Sequence, residues 1–435
     1  MAGKKRSGLS NHRRAYCYII TSTYTITYNG NTNTSGNVPT DGSSPYSSGS
    51  TVTVLGNSGS PVLAKTGFTF AGWNTKENGS GTSYSQGNTF AINANTILYA
   101  QWSSVPPPSA PTSLSSVGGN REAYILFTQS GTVTNYEYST DNGVTFLLFD
   151  PPQTYSPVNI TTLSSDPETS LTNGTTYTVI LKAVNSGVSS SASLSVNVTP
   201  EITNLLATNR IIHLDANNTS SYSGSGSTWT NLDSAGSYSA TLQNSPTFDN
   251  SNNWFTFNGT NQIAQIAAAS TINPTTSNSF TVQIWARVNT SSPNFAAWDG
   301  LISKQFGPGS YDGYSLNLAN SNTVALKMNG NSVDGTYYSS GGVYSNGWAL
   351  YTIVVRFGGG SGNPSYAYVS TRRVVTANNS ESGISAAAPL QFPRGLQEST
   401  FNFCPADVGA FYLYNSALSQ ENIIRNFDAT KHRYL

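Results

Sequence analysis

The stretch FTVQIWARV, residues 280–288, places apolar side chains at every second position. A period of two is typical of a β-strand, because successive side chains point to opposite faces of a sheet. The predicted core face consists of Phe280, Val282, Ile284, Ala286 and Val288, opposite Gln283, Trp285 and Arg287. The stretch ALYTIVVRF, residues 349–357, repeats the pattern, and Asn-Gly pairs between such stretches predict tight turns. We therefore expect residues 201–435 to form one large β domain.

The chain ends differently, because ALSQENIIRNF at 417–427 has the apolar spacing of a helix. Ser419 can cap its first turn, and Glu421 complements the helix dipole. Leu418 is expected to pack on Ile423 across the helix start. The sequence therefore predicts one short helix after the last strand.

Five segments of this domain resemble the laminin-G-like, concanavalin A-type jelly rolls: IIHLDANN, STWTNLDSAG, FTFNGTNQ, FTVQIWARV and DVGAFYLYNSALSQENIIRNF. Together they span about 220 residues. The resemblance implies two packed antiparallel sheets with a short helix after the last strand. It also implies that the domain binds glycans or protein partners, or is purely architectural.

Residues 21–102 read as short strands separated by turns. Tyr24, Ile26 and Tyr28 alternate along one strand before a turn at Asn29-Gly30. The elements YTITYNGN, TGFTFAGWNT, GSGTSY and ILYAQW resemble the Listeria–Bacteroides repeat, also called the internalin B-repeat. The resemblance implies a small β-grasp-like module that acts as a spacer or interaction unit in cell-surface proteins. We expect Trp73 and Trp102 in its core.

A proline-rich linker, residues 103–112, follows and predicts an extended spacer. Residues 113–200 again read as short strands. The segment LTNGTTYTVILKAVNSGVSS is similar to the late strands of fibronectin type III domains, with Tyr177 at the corner-tyrosine position. This implies an immunoglobulin-like sandwich, in which Phe127 or Tyr124 replaces the missing early tryptophan. The predicted fold class is therefore all-β throughout, with three modules and a terminal helix.

The composition is low in charge. Of 435 residues, 20 are Lys or Arg and 20 are Asp or Glu, which is 9% of the chain against roughly 25% in typical soluble proteins. This excludes a generally basic nucleic-acid coat and a long amphipathic coil. Cys17 and Cys404 fall in different modules, so no disulfide framework is expected. The histidine and cysteine spacing fits no metal site, and no apolar run is long enough to span a membrane.

Residues 1–20 form a basic tail containing Lys4, Lys5, Arg6, Arg13 and Arg14. Two interpretations stay open: an anchor onto nucleic acid or a neighbouring capsid subunit, or a solvated terminus. The apolar stretch after Arg14 is too short for a secretory signal. An extracellular composition without that signal is explained by release through cell lysis, as for virion components, or by a signal-independent secretion system.

No catalytic site is predicted. Glycoside hydrolysis needs two carboxylates roughly 5–9 Å apart, and the acids of residues 201–435 are not spaced two or four positions apart along a strand. No cofactor is expected. Asp299 and Asp312 lie in predicted loops, where they are either calcium ligands or solvated acids.

An aromatic–polar cluster between positions 298 and 314 predicts a glycan-binding patch, because sugar rings pack on aromatic faces beside polar groups. Its residues are Trp298, Asp299, Tyr311, Asp312 and Tyr314. The alternative is that Tyr314 belongs to the strand YSLNL, residues 314–318, and is buried.

These features predict a non-enzymatic virion protein that resembles surface or minor capsid proteins of large DNA viruses. Such a minor capsid, spike or fibre component would present its modules for capsid contacts or for attachment to host-surface glycans. We expect it to belong to a larger homo- or hetero-oligomeric assembly. The alternative is a bacterial cell-surface adhesin that binds glycans.

Overall fold

The computed structural model describes residues 22–129, 131–233, 237–273, 279–296, 299–305, 313–319, 323–329, 336–340, 347–356, 360–379, 388–397 and 400–435. These residues are nearly all in strands and connecting turns, with one α-helix near the end. The predicted all-β fold class is thereby confirmed. Cys17 and the tail residues Lys4, Lys5, Arg6, Arg13 and Arg14 lie outside the described residues.

Two compact units make up the chain. One extends to Ser109 and includes Gly131–Asn135 and Ala183–Ser191; the other holds Ala110–Ser130, Tyr136–Lys182 and Ala192–Leu435. The strands occur in three groups that follow the order of the predicted modules, whose boundaries remain predictions.

The N-terminal module contains eight described strands. They are β1 (Thr23–Tyr24), β2 (Ile26–Asn29), β3 (Tyr46–Ser47), β4 (Thr51–Thr53), β5 (Phe68–Asn74), β6 (Ser83–Tyr84), β7 (Thr89–Ala91) and β8 (Thr96–Ser104). The main sheet has the order β2-β8-β5-β6, with β2 and β8 parallel. Trp73 is 1% exposed in the core, where its ring packs on Tyr28 and Phe70. Half-buried Trp102 packs against the same core. Both tryptophans therefore have the packing role predicted for them.

The middle module contains β9 (Thr112–Gly119), β10 (Glu122–Thr128), β11 (Asn135–Ser139), β12 (Leu147–Leu148), β13 (Val158–Ile160), β14 (Tyr177–Asn185), β15 (Val188–Ser189) and β16 (Val196–Val198). One sheet runs β13-β10-β9 and the other β12-β11-β14-β15, with β16 on β14. The Tyr177 hydroxyl accepts the Thr172 N–H at 3.0 Å, as a corner tyrosine does. Phe127 packs on Tyr136 at 4.9 Å, whereas Tyr124 packs on the terminal helix. Of the two candidates for the place of the early tryptophan, Phe127 therefore packs inside the middle module and Tyr124 packs against the helix.

The C-terminal module contains the remaining strands and the helix. They are β17 (Arg210–Asp215), β18 (Thr228–Trp229), β19 (Ala240–Gln243), β20 (Thr247–Asp249), β21 (Trp254–Asn258), β22 (Ile263–Ile266), β23 (Phe280–Val288), β24 (Asp299–Gln305), β25 (Gly313–Ala319), β26 (Thr323–Asn329), β27 (Thr336–Ser340), β28 (Trp348–Val355), β29 (Gly360–Val369), β30 (Arg372–Asn379), β31 (Leu390–Phe392), β32 (Arg394–Gln397), β33 (Thr400–Phe403), β34 (Pro405–Tyr414) and α1 (Gln420–Lys431). A short 3₁₀ turn spans Ser270–Ile272.

Two sheets enclose the core of this module. Sheet A has the order β20-β21-β34-β23-β28-β29-β30, with β17 on β34; sheet B runs β18-β19-β22-β31-β24-β25-β26-β27, with β32 and β33 attached. The alternating residues Phe280, Val282, Ile284, Ala286 and Val288 all point into the core, as predicted. Gln283, Trp285 and Arg287 therefore lie on the outer face of sheet A.

Helix α1 covers part of that outer face. The Ser419 hydroxyl accepts the Asn422 N–H at 3.2 Å, which confirms the predicted cap. Leu418 and Ile423 are buried in one cluster with Trp285. The indole N–H of Trp285 donates to Thr430 Oγ1 at 2.8 Å. The helix is thus fixed to sheet A by both packing and a hydrogen bond.

The opposite side of α1 contacts the middle module, because Ile424 packs in one cluster with Val117 and Tyr124. Next to it lies a group of four polar side chains, Glu122, Tyr124, Asp428 and Lys431, which we call the interface cluster. Lys431 Nζ lies 2.5 Å from Glu122 Oε2 and 2.9 Å from Asp428 Oδ1. Helix α1 therefore packs against both the C-terminal module and the middle module.

Asp428 makes four polar contacts, the most of this group, when its ion pair with Lys431 is included. Its Oδ2 accepts the Asn120 N–H at 2.9 Å and the Thr203 hydroxyl at 2.6 Å, and its Oδ1 accepts the Tyr124 hydroxyl at 3.3 Å. Burial raises the pKa of this carboxyl, but the donors Thr203, Lys431 and Asn120 lower the pKa more, so the net shift is downward. Asp428 is therefore a buried carboxylate whose charge is satisfied.

Candidate functional site

The predicted aromatic–polar cluster is divided by the structure. Asp299 begins β24 and is 2% exposed, and Tyr314 in β25 is fully buried in the core between the sheets. A buried side chain does not contact a glycan at the surface, so the prediction is wrong for these two residues. The alternative that the sequence left open, in which Tyr314 belongs to the strand at 314–318 and is buried, is the one that the structure shows. Trp298, Tyr311 and Asp312 lie outside the described residues, and their part in glycan binding stays a prediction.

The Asp299 side chain is surrounded by protein and not by solvent. Its Oδ2 accepts the Ala296 N–H at 2.8 Å, and burial raises its pKa to about 7 despite that bond. Burial and the charge of Asp299 also raise the pKa of the Cys404 thiol. In the part of the chain that the structure describes, no group of three His, Cys, Asp or Glu side chains is placed to hold a metal ion. Within the described residues, Asp299 is therefore not part of a group of such side chains that could hold calcium.

A different set of residues brings aromatic and polar groups to the surface. Trp254, Arg287, Trp348 and Asp407, which we call the Trp–Arg patch, lie on the outer face of sheet A. Arg287 is directly opposite Trp348 on one side and Asp407 on the other. Phe255 and Ala406, next to these residues in their strands, point into the core. The patch therefore arises from the strand alternation of β21, β23, β28 and β34.

Arg287 is the centre of the patch. Its Nε and Nη2 both donate to Asp407 Oδ2, at 2.9 and 2.7 Å. Asp407 Oδ1 accepts the Thr256 hydroxyl at 2.6 Å. The guanidinium carbon lies 5.1 Å from the Trp254 ring centroid and 5.5 Å from that of Trp348. These contacts fix the guanidinium in one orientation, while 40% of the Arg287 side chain stays exposed.

The two indole rings differ in their support. Their centroids are 5.2 Å apart. Trp348 is also packed at 4.8 Å by Tyr434, whose ring in turn stacks on Trp285 at 4.6 Å. Trp254 is half-buried and belongs to none of the core clusters found among the described residues. Trp254 is therefore the less tightly packed of the two rings, and Trp348 is its structural support.

The position of the Tyr434 ring depends on the absence of a side chain at Gly409. A Cβ on Gly409 would lie 2.3 Å from Cε1 of the Tyr434 ring, which no real contact allows. The support behind Trp348 therefore requires a residue without a side chain in β34.

A recess of about 290 Å³ opens beside Arg287 and is lined by Arg287, Val288, Asn289 and Asp407. Its polar groups are the guanidinium, a carboxylate and an exposed amide. Aromatic faces next to such groups are the chemistry with which proteins hold sugar rings. The sequence placed Arg287 on the outer face correctly, but Trp254 and Asp407 come from strands far away in the chain.

Of the eight acids that the structure describes in the C-terminal module, five are engaged in ion pairs. Arg433 Nη1 lies 2.6 Å from Asp215 Oδ2, and Arg210 Nε lies 2.7 Å from Asp233 Oδ2. Asp407 and Asp428 are bound as described above, and Glu201 pairs with Arg425 at 2.9 Å. Each of these carboxylates is therefore paired with a lysine or arginine of the same chain.

Comparisons with known proteins agree with two of the modules. Residues 24–101 match the family model of the Listeria-Bacteroides repeat domain, and residues 258–424 match that of the Concanavalin A-like lectin/glucanases superfamily. The chain contains a Listeria–Bacteroides repeat and a laminin-G/concanavalin A-like domain. Both resemblances inferred from the sequence are thereby confirmed.

Two proteins of the bacterium Evansella cellulosilytica are similar to part of the chain. One, named "Putative membrane protein", is 34% identical over 97 residues, which is 22% of this chain and 14% of that protein. The other, named "Putative Gly-rich membrane protein", is 34% identical over 94 residues, 21% of this chain and 10% of that protein. The chain thus matches only a small part of either relative. None of the helices in the described residues is long and apolar enough to cross a membrane.

Two similar solved structures are binding domains of botulinum neurotoxin DC, one in complex with SialylT and one with rat synaptotagmin II. Their identities to this chain are 14% and 15%, each with a TM-score of 0.37 and 51% of both chains covered. A TM-score of this size does not establish a common fold. The proposals below rest on residues of this chain and not on these two structures.

Proposed function

We propose that the protein is a non-enzymatic attachment protein that presents β modules at a surface and binds carbohydrate through its C-terminal module. The observation that carries this proposal is the Trp–Arg patch, in which the partly exposed Arg287 side chain lies over two indole rings and, together with Asp407, lines a recess. The match of residues 258–424 to a superfamily of lectins and glucanases supports it.

The ion pairs of the described acids support binding without turnover. A glycosidase needs two carboxylates that are available to the glycosidic bond. In the described C-terminal module, Asp215, Asp233, Asp407 and Asp428 each bind an arginine or lysine at 2.6–2.9 Å. This pairing favours a lectin-like role over hydrolysis.

For the surface itself, we propose a virion, with the protein as a minor capsid, spike or fibre component in a larger assembly. The low charge and the serial β modules, including a middle module of fibronectin type III type with its corner tyrosine Tyr177, support this role. Lys4, Lys5, Arg6, Arg13 and Arg14 would then anchor the chain to other virion components. A bacterial surface adhesin is the second candidate, favoured by the similarity to the two Evansella proteins.

Mass spectrometry distinguishes the two surfaces. We expect peptides of the chain in purified particles, at a constant ratio to the major capsid protein. Peptides confined to cell-wall extracts would reject the virion and favour the adhesin. Deletion of residues 2–14 should abolish particle incorporation if the basic tail anchors the protein, whereas unchanged incorporation would leave it a solvated terminus.

A glycan array with the full chain tests carbohydrate binding. We expect Trp254→Ala to weaken binding about tenfold, because an aromatic contact contributes roughly 0.5–1.5 kcal/mol beyond its buried area. The unfolding temperature should change little, since Trp254 lies outside the core clusters. Trp298→Ala and Tyr311→Ala test the originally predicted patch in parallel.

Tyr155→Ala is the matched control, because it removes an aromatic ring that is 44% exposed on the middle module. It should leave glycan binding unchanged. If Trp298→Ala and Tyr311→Ala abolish glycan binding while Trp254→Ala does not, the glycan site lies at the aromatic–polar cluster of residues 298–314. The Trp–Arg patch is then rejected as the site.

A further inference from the structure

We infer that the Trp–Arg patch is built for one neutral sugar ring and discriminates against acidic glycans. This inference rests on the proposed function and names the ligand class of the same site. The reasons are the charge balance around Arg287, the free donors it retains and the size of the recess.

The positive charge of Arg287 is already compensated. Two of its nitrogens bind Asp407 at 2.7–2.9 Å. A second carboxylate belongs to Asp249, which lies directly opposite Trp254 in the pairing of β20 with β21. Hydrogen bonds from Asn252 and Ser251, together with the charge of Arg287, lower the pKa of Asp249. One cation therefore faces two carboxylates, and a sialic acid or sulfate would meet repulsion instead of an unpaired arginine.

The hydrogen-bonding capacity that remains suits hydroxyl groups. Arg287 Nη1 donates to no acceptor among the described residues, while Nε and Nη2 are occupied. Asn289 is exposed at the rim of the recess and offers an amide donor and acceptor. Sugar hydroxyls both donate and accept, so they match this set without bringing a charge.

The dimensions limit the ligand to a small group. The recess of about 290 Å³ lies just below the roughly 300–1,000 Å³ typical of drug-sized ligand sites. Of the two indole rings, Trp254 is the one that Tyr434 does not pack, and Arg287, which lines the recess, lies over it. The site therefore fits one terminal pyranose better than an extended chain of sugars.

The test is a glycan array that pairs neutral oligosaccharides with sialylated or sulfated forms of the same core, such as N-acetyllactosamine and its sialylated form. We expect the full chain to bind the neutral member at least roughly fivefold more strongly, from surface charge repulsion of about 1 kcal/mol. Asp407→Asn should narrow this gap, because it leaves Arg287 uncompensated. Asp249→Asn should reduce the difference between neutral and acidic glycans by a smaller amount. Because it leaves the Arg287–Asp407 contact intact, it replaces Asp407→Asn as the test variant if Asp407→Asn fails to fold.

The outcomes separate the inference from the proposed function. Preference for the acidic members, lost in Trp254→Ala, would overturn the neutral ligand class and retain glycan attachment at this patch. Neutral binding that is unaffected by Trp254→Ala would overturn the inference, because the site would lie elsewhere. If no glycan is bound, both the proposed function and the inference fail.

Discussion

The interface cluster and the Trp–Arg patch contain the same kinds of groups in opposite environments. In each, a cation pairs with a carboxylate beside aromatic rings. The Asp428 side chain is fully buried and accepts four partners, whereas 40% of the Arg287 side chain is exposed and one of its nitrogens has no acceptor in the described structure. Burial and completed hydrogen bonding therefore mark a structural cluster, whereas exposure and spare donors mark a candidate site.

The largest expected effect is on the interface cluster. Asp428→Ala should lower the free energy of unfolding by about 3 kcal/mol, because it leaves the Thr203 hydroxyl and the Asn120 N–H without their acceptor and removes one of the two carboxylates that pair with Lys431. Urea unfolding of the full chain measures this loss, and glycan binding by the folded variant should be unchanged. Arg425→Ala is the control on the same helix: its pair with Glu201 is 44% and 55% exposed, so we expect a change within about 0.5 kcal/mol.

Acid should act on the same cluster. The pKa of Asp428 is lowered in the folded protein, so its stabilisation is complete above the unfolded pKa of about 4 and is lost as the pH falls through the folded pKa. Urea midpoints should therefore drop below about pH 4. The groups that face it are Lys431, Tyr124 and Glu122.

Asp428→Asn should show a smaller acid-dependent drop than the unsubstituted protein. Part of the drop will remain, because the pKa of Asp215 is also lowered, with burial opposed by His213 and Arg433. Identical acid profiles in the two proteins would contradict the assigned role of the Asp428 charge.

A smaller stability effect than that of Asp428→Ala is expected in the Trp–Arg patch. Arg287→Ala should reduce the free energy of unfolding by at most about 1 kcal/mol, because exposed ion pairs contribute little. Its glycan binding should fall by at least as much as in Trp254→Ala. A large loss of stability with unchanged binding would remove the difference between the two clusters, since both would then be structural.

Much of the fold was predictable from local pattern. The alternation of residues 280–288 gave both faces of β23, and Ser419 gave the start of α1. Motif resemblance also predicted two modules that the family models match. The candidate site was not predictable in this way, because Arg287 meets Asp407 through a pairing of strands 120 positions apart. Local clustering instead pointed to Tyr314, which the same alternation places inside the core.

For Trp285 and Arg287, the sequence predicts the face of the strand but not how much of each side chain is exposed. The sequence determined that both point away from the core of the sandwich, because side chains two positions apart share a face of a strand. Only the tertiary structure decided that Trp285 lies buried beneath α1 and Tyr434 while Arg287 stays 40% exposed. The reason is physical: a strand's periodicity is a local property, whereas what covers its outer face depends on elements more than a hundred residues away.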